Sequence, residues 1–206
     1  IGSDTESTHN AFSAGFYSKA TGDSSIAIGA GFESTGNPTK AVKASGKNGI
    51  AIGLAAQSTG ESAIAFGTHA TASETSATAI GKSAEASGSE ATSFGVASTA
   101  NKDGALAIGS HSTSSVKAGT AIGYNASVSY SGAGDSWGAT AIGAQTSVTG
   151  KNAVAIGRAS KARGNNSLAI GAGNNDDGTA STEFAESTGT NSLAIGYNAK
   201  AKNISA

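Results

Sequence analysis

The chain has no cysteine, which excludes disulfides, thiolate nucleophiles and cysteine-bound metals, and which is compatible with a secreted bacterial surface protein. One proline and 5% aromatic residues among 206 leave little bulk for a conventional globular core. Neither sign of charge dominates, with 13 Lys and Arg against 14 Asp and Glu. No long-range field therefore points to nucleic acid or to an anionic membrane surface. No apolar run approaches the ~20 residues of a membrane helix, and no basic-then-apolar signal segment opens the chain. Both are expected to lie outside this stretch. Ile1-Gly2 resembles the tail of one repeat, and the last residues stop short of the next, as in a piece cut from a longer array.

What is abundant is glycine, 30 residues of it, and it is periodic. A motif of the type Ala-Ile-Ala-Ile-Gly ends at Gly29, Gly53, Gly67, Gly81, Gly95, Gly109, Gly123, Gly143, Gly157, Gly171 and Gly196, after a weaker copy at Gly15. The steps are 14, 24, 14, 14, 14, 14, 14, 20, 14, 14 and 25, a period of 14 with insertions of 10, 6 and 11 residues. A fixed short period is the mark of a solenoid, whose units bury their apolar faces only against neighbours. Alternation of large and small residues within the motif is the two-residue period of a strand. Fourteen residues accommodate two strands of about five and two tight turns at roughly 3.3 Å per residue. The predicted fold is all-β, a flat parallel β-roll.

Aligned repeats assign faces. One side of the motif strand is small throughout, with the central row Ala27, Ala51, Ala65, Ala79, Ala107, Ala121, Ala141, Ala155, Ala169 and Ala194. The other side carries pairs such as Ile26 and Ile28, Ile64 and Phe66, and Leu193 and Ile195. The second strand alternates small residues such as Ala70 and Ala72 with polar ones, among them Glu33, Gln57, Glu85, Lys161 and Lys200. Sheets pack about 10 Å apart, so large Ile facing small Ala is expected to fill the interior. That expectation leaves the Ala row outward, as a flat strip for self-association about a symmetry axis. About two Ile-sized side chains per coil, at some 1.5 to 3 kcal/mol each, oppose the ordering of fourteen residues at over ~1 kcal/mol apiece. A single roll is marginal by this measure, which favours assembly.

Glycine also recurs half a period earlier, at Gly22, Gly36, Gly46, Gly60, Gly88, Gly150, Gly164 and Gly189, and Glu74, Lys102 and Val116 replace it elsewhere. Two glycines per coil mark its two turns. The insertions are expected near 37–45, 129–138 and 174–187 of a single repeat domain covering 1–206. Two of them hold Pro38 and Trp137, the only residues of their kind. Loops on rigid scaffolds concentrate binding residues, so Tyr130 and Trp137 are candidate ligand contacts, although Trp137 equally suits covering its own loop. Lys151, Arg158, Lys161 and Arg163 in adjacent coils are the other candidates, as a basic strip for sulfated glycans, with solvated charge as the simpler reading.

Asn166-Ser167-Leu168-Ala169-Ile170-Gly171 and Asn191-Ser192-Leu193-Ala194-Ile195-Gly196 resemble the Asn-Ser-Val-Ala-Ile-Gly motif of the YadA-like head domains of trimeric autotransporter adhesins. The resemblance spans Phe12 to Ala201. It implies a left-handed parallel β-roll, a homotrimer, display on a Gram-negative cell surface through a stalk and outer-membrane anchor beyond this stretch, and attachment to host matrix proteins or cells, with autoaggregation a further possibility. Leading pairs differ from Asn-Ser at Ser24-Ser25, Asn48-Gly49, Ser62-Ala63, Gly104-Ala105 and Asn152-Ala153.

Catalysis has little support. His69 and His111 occupy equivalent positions three coils apart, about 14 Å at ~4.8 Å per coil, too far to share a metal within one chain. Asn174-Asn175-Asp176-Asp177-Gly178 has the oxygen-rich composition of a calcium loop but lacks a distal bidentate Glu, so a solvated turn is the better reading. Asn125-Ala126-Ser127 and Asn165-Asn166-Ser167 match the glycosylation pattern, as chance allows in an Asn- and Ser-rich repeat. An ice-binding solenoid is opposed by charged residues in the outward row, and a hexapeptide acyltransferase by a period that is not a multiple of six. The reading is a non-enzymatic adhesin head without cofactor, metal or nucleic-acid partner; its alternative is a structural spacer in a longer fibre.

Overall fold

The computed structural model of the chain describes residues 2, 5–34, 37–130, 132, 136–173 and 184–202, with 32–40 as backbone only. It is a parallel β-solenoid of coils about 14 residues apart. Two units, Ile1–Gly104 and Ala105–Ala206, have the same construction. In the first, motif strands such as Ile50–Ile52, Ile64–Phe66 and Thr78–Ile80 form one sheet, and Gln57–Ser58, Thr71–Ala72 and Glu85–Ala86 belong to a companion sheet. In the second, Thr140–Ile142, Val154–Ile156 and Leu168–Ile170 belong to the motif sheet, and Ser147–Val148, Lys161–Ala162 and Glu186–Ser187 to the companion. Strands of three and two residues are shorter than the five expected, because the turns take more of each period.

Register preserves residue type. Ala65 lies beside Ala51 and Ala79, and Ala155 beside Ala141 and Ala169. Insertions do not disturb it, since Ile26 pairs with Ile50, Thr120 with Thr140 and Leu168 with Leu193. Strands and turns alike are hydrogen-bonded from coil to coil. The Ile64 amide donates to the Ala77 carbonyl at 2.8 Å, and the turn amides of Ser76 and His69 donate to Glu61 and Leu54 at 2.8 Å. Little backbone polarity is left without a partner.

The face assignment is the reverse of the one expected. Ala27, Ala51, Ala65, Ala79, Ala107, Ala121, Ala141, Ala155, Ala169 and Ala194 are buried inside the roll. Their partners across the interior are the small residues of the companion sheet, such as Ala70, Ala72, Ser98 and Ala162. Ile and Phe of the motif point out, and Phe66 is 51% exposed beside a fully buried Ala65. The roll is too narrow for anything larger inside. Ser93 Oγ of a motif strand and Ser98 Oγ, just before the companion strand of the same coil, already meet at 2.6 Å, and Ser58 Oγ donates across the interior to the Ala63 carbonyl at 2.8 Å. A Cβ added at Gly49 would stand 2.8 Å from Ser58 Oγ. The 10 Å spacing of ordinary packed sheets does not apply to a coil with such short turns.

Most turns place a residue in the left-handed region. His69 and Ser76, for example, sit at φ 57° and 56°, and Asn48, Asn152, Asn166 and Asn191 recur at the position that opens the motif. Asparagine tolerates that conformation better than most residues, which explains why it leads several motif copies. The terminal glycine has two reasons to be glycine. Gly67 has φ +136°, and a Cβ there would lie 2.5 Å from the Gly81 carbonyl. The half-period glycine needs clearance alone, since Gly60 has an ordinary φ but would overlap the Glu74 carbonyl. Clearance is negotiable between coils, which accounts for Glu74, Lys102 and Val116.

The first insertion is an antiparallel hairpin of Phe32–Ser34 and Asn37–Lys40 leaving the first turn of its coil. It therefore begins upstream of the 37–45 expected and overlaps it at 37–40. The regular coil resumes with Lys43–Ala44, so Lys43 rather than Glu33 occupies the outward row of the companion sheet. The second insertion leaves the second turn after Val128 and returns at Trp137. Residues 174–183 of the third lie outside the described residues, as do Gly36 and the candidate calcium stretch.

Overpacking tests the narrow interior. Ala155→Leu or Ala169→Leu is expected to destabilise the roll of each chain, by about 1 to 3 kcal/mol or more, read as a lower midpoint in thermal melts followed by circular dichroism. An unchanged midpoint would return the Ala row to the outside.

Candidate binding surfaces

Because the interior accepts only small residues, the large apolar residues of every motif are presented outward on the motif sheet. In the first unit Phe12, Ile28, Phe66 and Phe94 are exposed there, and in the second Ile142 and Ile156. First-turn residues border them: Phe16, Leu54 and Val96 in one unit, Tyr124 in the other. Isolated exposed hydrophobics are ordinary, but continuous rows mark association surfaces.

Opposite, the outward side of the companion sheet is polar. In the second unit its register places Lys161 beside Glu186, and Glu186 beside Lys200. The Glu186 carboxylate pairs with Arg163 at 2.7 Å and with Lys200 at 3.6 Å. Beneath them lies Phe184, nearly buried, with Lys161 Nζ 3.8 Å and Lys200 Nζ 3.7 Å from its ring centroid. Both ammonium groups are attracted to the ring face. Burial holds the Lys161 pKa below the usual 10.5, and the charges of Arg163 and Lys200 add to this while Glu186 opposes it.

The expected basic strip is thus divided. Lys161 and Arg163 share the outward face, Lys151 sits in the second turn beside them, and Arg158 follows Gly157 in the first turn at the other end of the coil. Sequence reasoning missed Phe184 and Glu186, and placed Lys200 in the outward row without naming it a site residue. Aligning rows exposes the order Lys161, Glu186, Lys200, but the aromatic beneath them is reached only through an insertion that obscures its position.

Tyr130 and Trp137, the two aromatic candidates, have different surroundings. Tyr130 packs against the buried cluster of the second unit that contains Val128 and Val148. Trp137 forms a bridge with Lys117, its indole 53% exposed and Lys117 Nζ 5.3 Å from the ring centroid. Thr120, Thr140 and Val154 are in register, so Lys117, Trp137 and Lys151, each three residues earlier, occupy one row of the second turn. The same turn carries an amide ladder, in which Asn152 Nδ2 donates to Asn166 Oδ1 at 3.4 Å and Asn166 Nδ2 to Asn191 Oδ1 at 3.2 Å. His69 and His111 lie in first turns, with His111 Nδ1 2.8 Å from Ser110 Oγ. Among the described residues, no group of three or more His, Cys, Asp and Glu is placed to hold a metal.

A family model described as the YadA head domain repeat (2 copies) matches residues 9–31, 44–70, 58–84, 86–112, 138–160, 149–174 and 187–206, well over half of the chain. The unmatched stretch 32–43 contains the hairpin, and 113–137 contains the insertion ending at Trp137. No curated protein matches the chain.

Removing the Glu186 carboxylate tests the cluster over Phe184. Folding lowers the Lys161 pKa, so the unfolded chain binds more protons between that lowered value and 10.5, and stability rises with pH through this window. Glu186→Gln is expected to lower the Lys161 pKa further and to widen the window, as followed by NMR titration of its Cε. A rise in that pKa would contradict the arrangement.

Proposed function

The chain belongs to the YadA head family, the non-enzymatic, adhesive heads of surface-displayed trimeric autotransporters, and from that premise we propose that it forms one third of a head attaching bacteria to host matrix or cells and to one another. The observation that supports this reading is the outward apolar side of the motif sheet. A surface presenting Ile142 and Ile156 in one unit, or Ile28 and Phe66 in the other, to water in every coil is costly for a free chain. Covering such a row recovers about 1.5 to 3 kcal/mol for each Ile-sized side chain fully buried. Three chains packed by their motif sheets would bury those rows about the common axis and leave companion sheets, turns and insertions facing outward. In this arrangement the large residues serve assembly and the small ones fill each roll.

Adhesion is then a property of a repetitive exterior rather than of a pocket. Stalk and anchor segments beyond this stretch would hold the head at the outer membrane.

Light scattering is expected to give three times 19.7 kDa for the chain. The double variant Ile142→Glu, Ile156→Glu is expected to abolish that trimer, because charge would be buried without partners; a trimer unaffected by it would reject the apolar interface. The trimer should also bind immobilised collagen, fibronectin or laminin, or drive cells bearing it to aggregate. A trimer that does neither is a spacer.

A further inference from the structure

Counted from the terminal glycine of a coil, three rows face outward on the motif side: the third residue before it, the residue before it and the residue after it. The last two lie toward the first turn and protrude. In the first unit Phe94 is 52% exposed and Val96 48%, and in the second Tyr124 is 57% exposed. The first row lies toward the second turn and is lower, with Thr92, Leu106 and Thr120 partly buried. Beyond it the surface turns polar, as at the exposed Glu61 and Ser62.

Residue size is traded between these rows. Around Gly95 the bulky Phe94 and Val96 share their coil with Thr92, and around Gly123 the bulky Tyr124 shares its coil with Thr120. Around Gly109 and Gly171 the residue after the glycine is small, Ser110 or Ala172, and the first row holds Leu106 or Leu168. Gly29 and Gly67 repeat this, with Ala30 opposite Ile26 and Thr68 opposite Ile64. The trade is absent where Ile50 accompanies Leu54 and where Thr140 accompanies Ala144. An open face sets no limit on the summed size of its side chains, whereas a covered one does, because interiors are filled to a nearly constant density. Within one chain the two outer rows stand four residues apart, too far to share space. The trade therefore points to contact between chains.

Symmetry decides which rows would meet. A third of a turn about an axis along the coils brings the first-turn side of one motif sheet beside the second-turn side of the next, at the same height. The contact then joins unlike rows of the same coil, a heterologous interface that closes into a ring. We propose that the head closes in this way, with Phe94 and Val96 of one chain seated over Thr92 of the next in the first unit, and Tyr124 over Thr120 in the second. This rests on the trimeric reading and specifies its interface, row by row.

Engineered disulfides test it in the full chain, which has no cysteine of its own. Thr92→Cys with Val96→Cys, and separately Thr120→Cys with Tyr124→Cys, are expected to give covalent trimers on non-reducing denaturing gels after mild oxidation, since each chain then offers one sulfur to each neighbour. Four residues along a strand exceed the ~7 Å that a disulfide can span, so these bonds cannot close within a chain. Each cysteine alone is expected to run as monomer, and so is Ile64→Cys with Val96→Cys, a pair two coils out of step. Covalent dimers from a single cysteine would mean that like rows meet, and cross-linking of the out-of-step pair would mean that the coils are not aligned. Either result overturns the proposal, as does the absence of covalent trimers from the first two variants. Size exchange gives a second readout. Thr120→Leu should raise the concentration at which the trimer dissociates by about tenfold, and adding Tyr124→Ala should recover most of that loss; no recovery overturns the proposal. Light scattering of the reduced proteins separates the two readings: a monomeric parent chain removes the trimer itself, whereas trimers that do not cross-link remove only this arrangement.

Discussion

The width of the roll governs the rest of the structure. Turns built on a glycine and one left-handed residue bring the two sides of a coil so close that serine hydroxyls across the interior touch, as Ser93 and Ser98 do at 2.6 Å. Only Gly, Ala, Ser, Thr and Val fit between them, and the largest fully buried side chains are Val42, Val128 and Val148. Such a core buries little apolar area. Cohesion within each unit comes instead from unbroken hydrogen-bond ladders, turns included, and from dense contact between small side chains.

From this width follows the division of labour between faces. Large apolar side chains have no place inside and appear in rows on the motif sheet, where they are available for association. Charged and polar side chains collect on the companion sheet, where one coil places its side chain beside the next. Lys161, Glu186 and Lys200 show how a row becomes a charge network, and Phe184 shows how an insertion supplies an aromatic floor for it. Insertions are tolerated at turns because the strands on either side recover their register, as Thr120 and Thr140 do across the longer coil before Trp137.

Membership of the adhesin-head family agrees with this physical picture. Affinity spread over repeated coils does not require a preformed pocket or a reactive constellation. The motif-opening asparagine has a structural origin in the left-handed turn, where Asn152, Asn166 and Asn191 also link their side-chain amides. Copies with serine, glycine or alanine in that place keep the same backbone, so the fold tolerates departures from the motif.

The sequence by itself determined the period, the parallel strands, the two turns of each coil, the presence of insertions and the family, because each is written as a spacing of particular residue types. It did not determine which side of the motif strand lies inside. Alternation distinguishes two faces without ranking them, and the general preference for buried isoleucine points the wrong way when turns are this tight. Ala65 inside and Phe66 outside are decided by the distance between sheets, which only the folded coil sets. Insertions likewise hid the neighbours of Trp137 and Phe184. Their partners Lys117, Lys161 and Lys200 lie in other coils, and only closure of those coils brings them together.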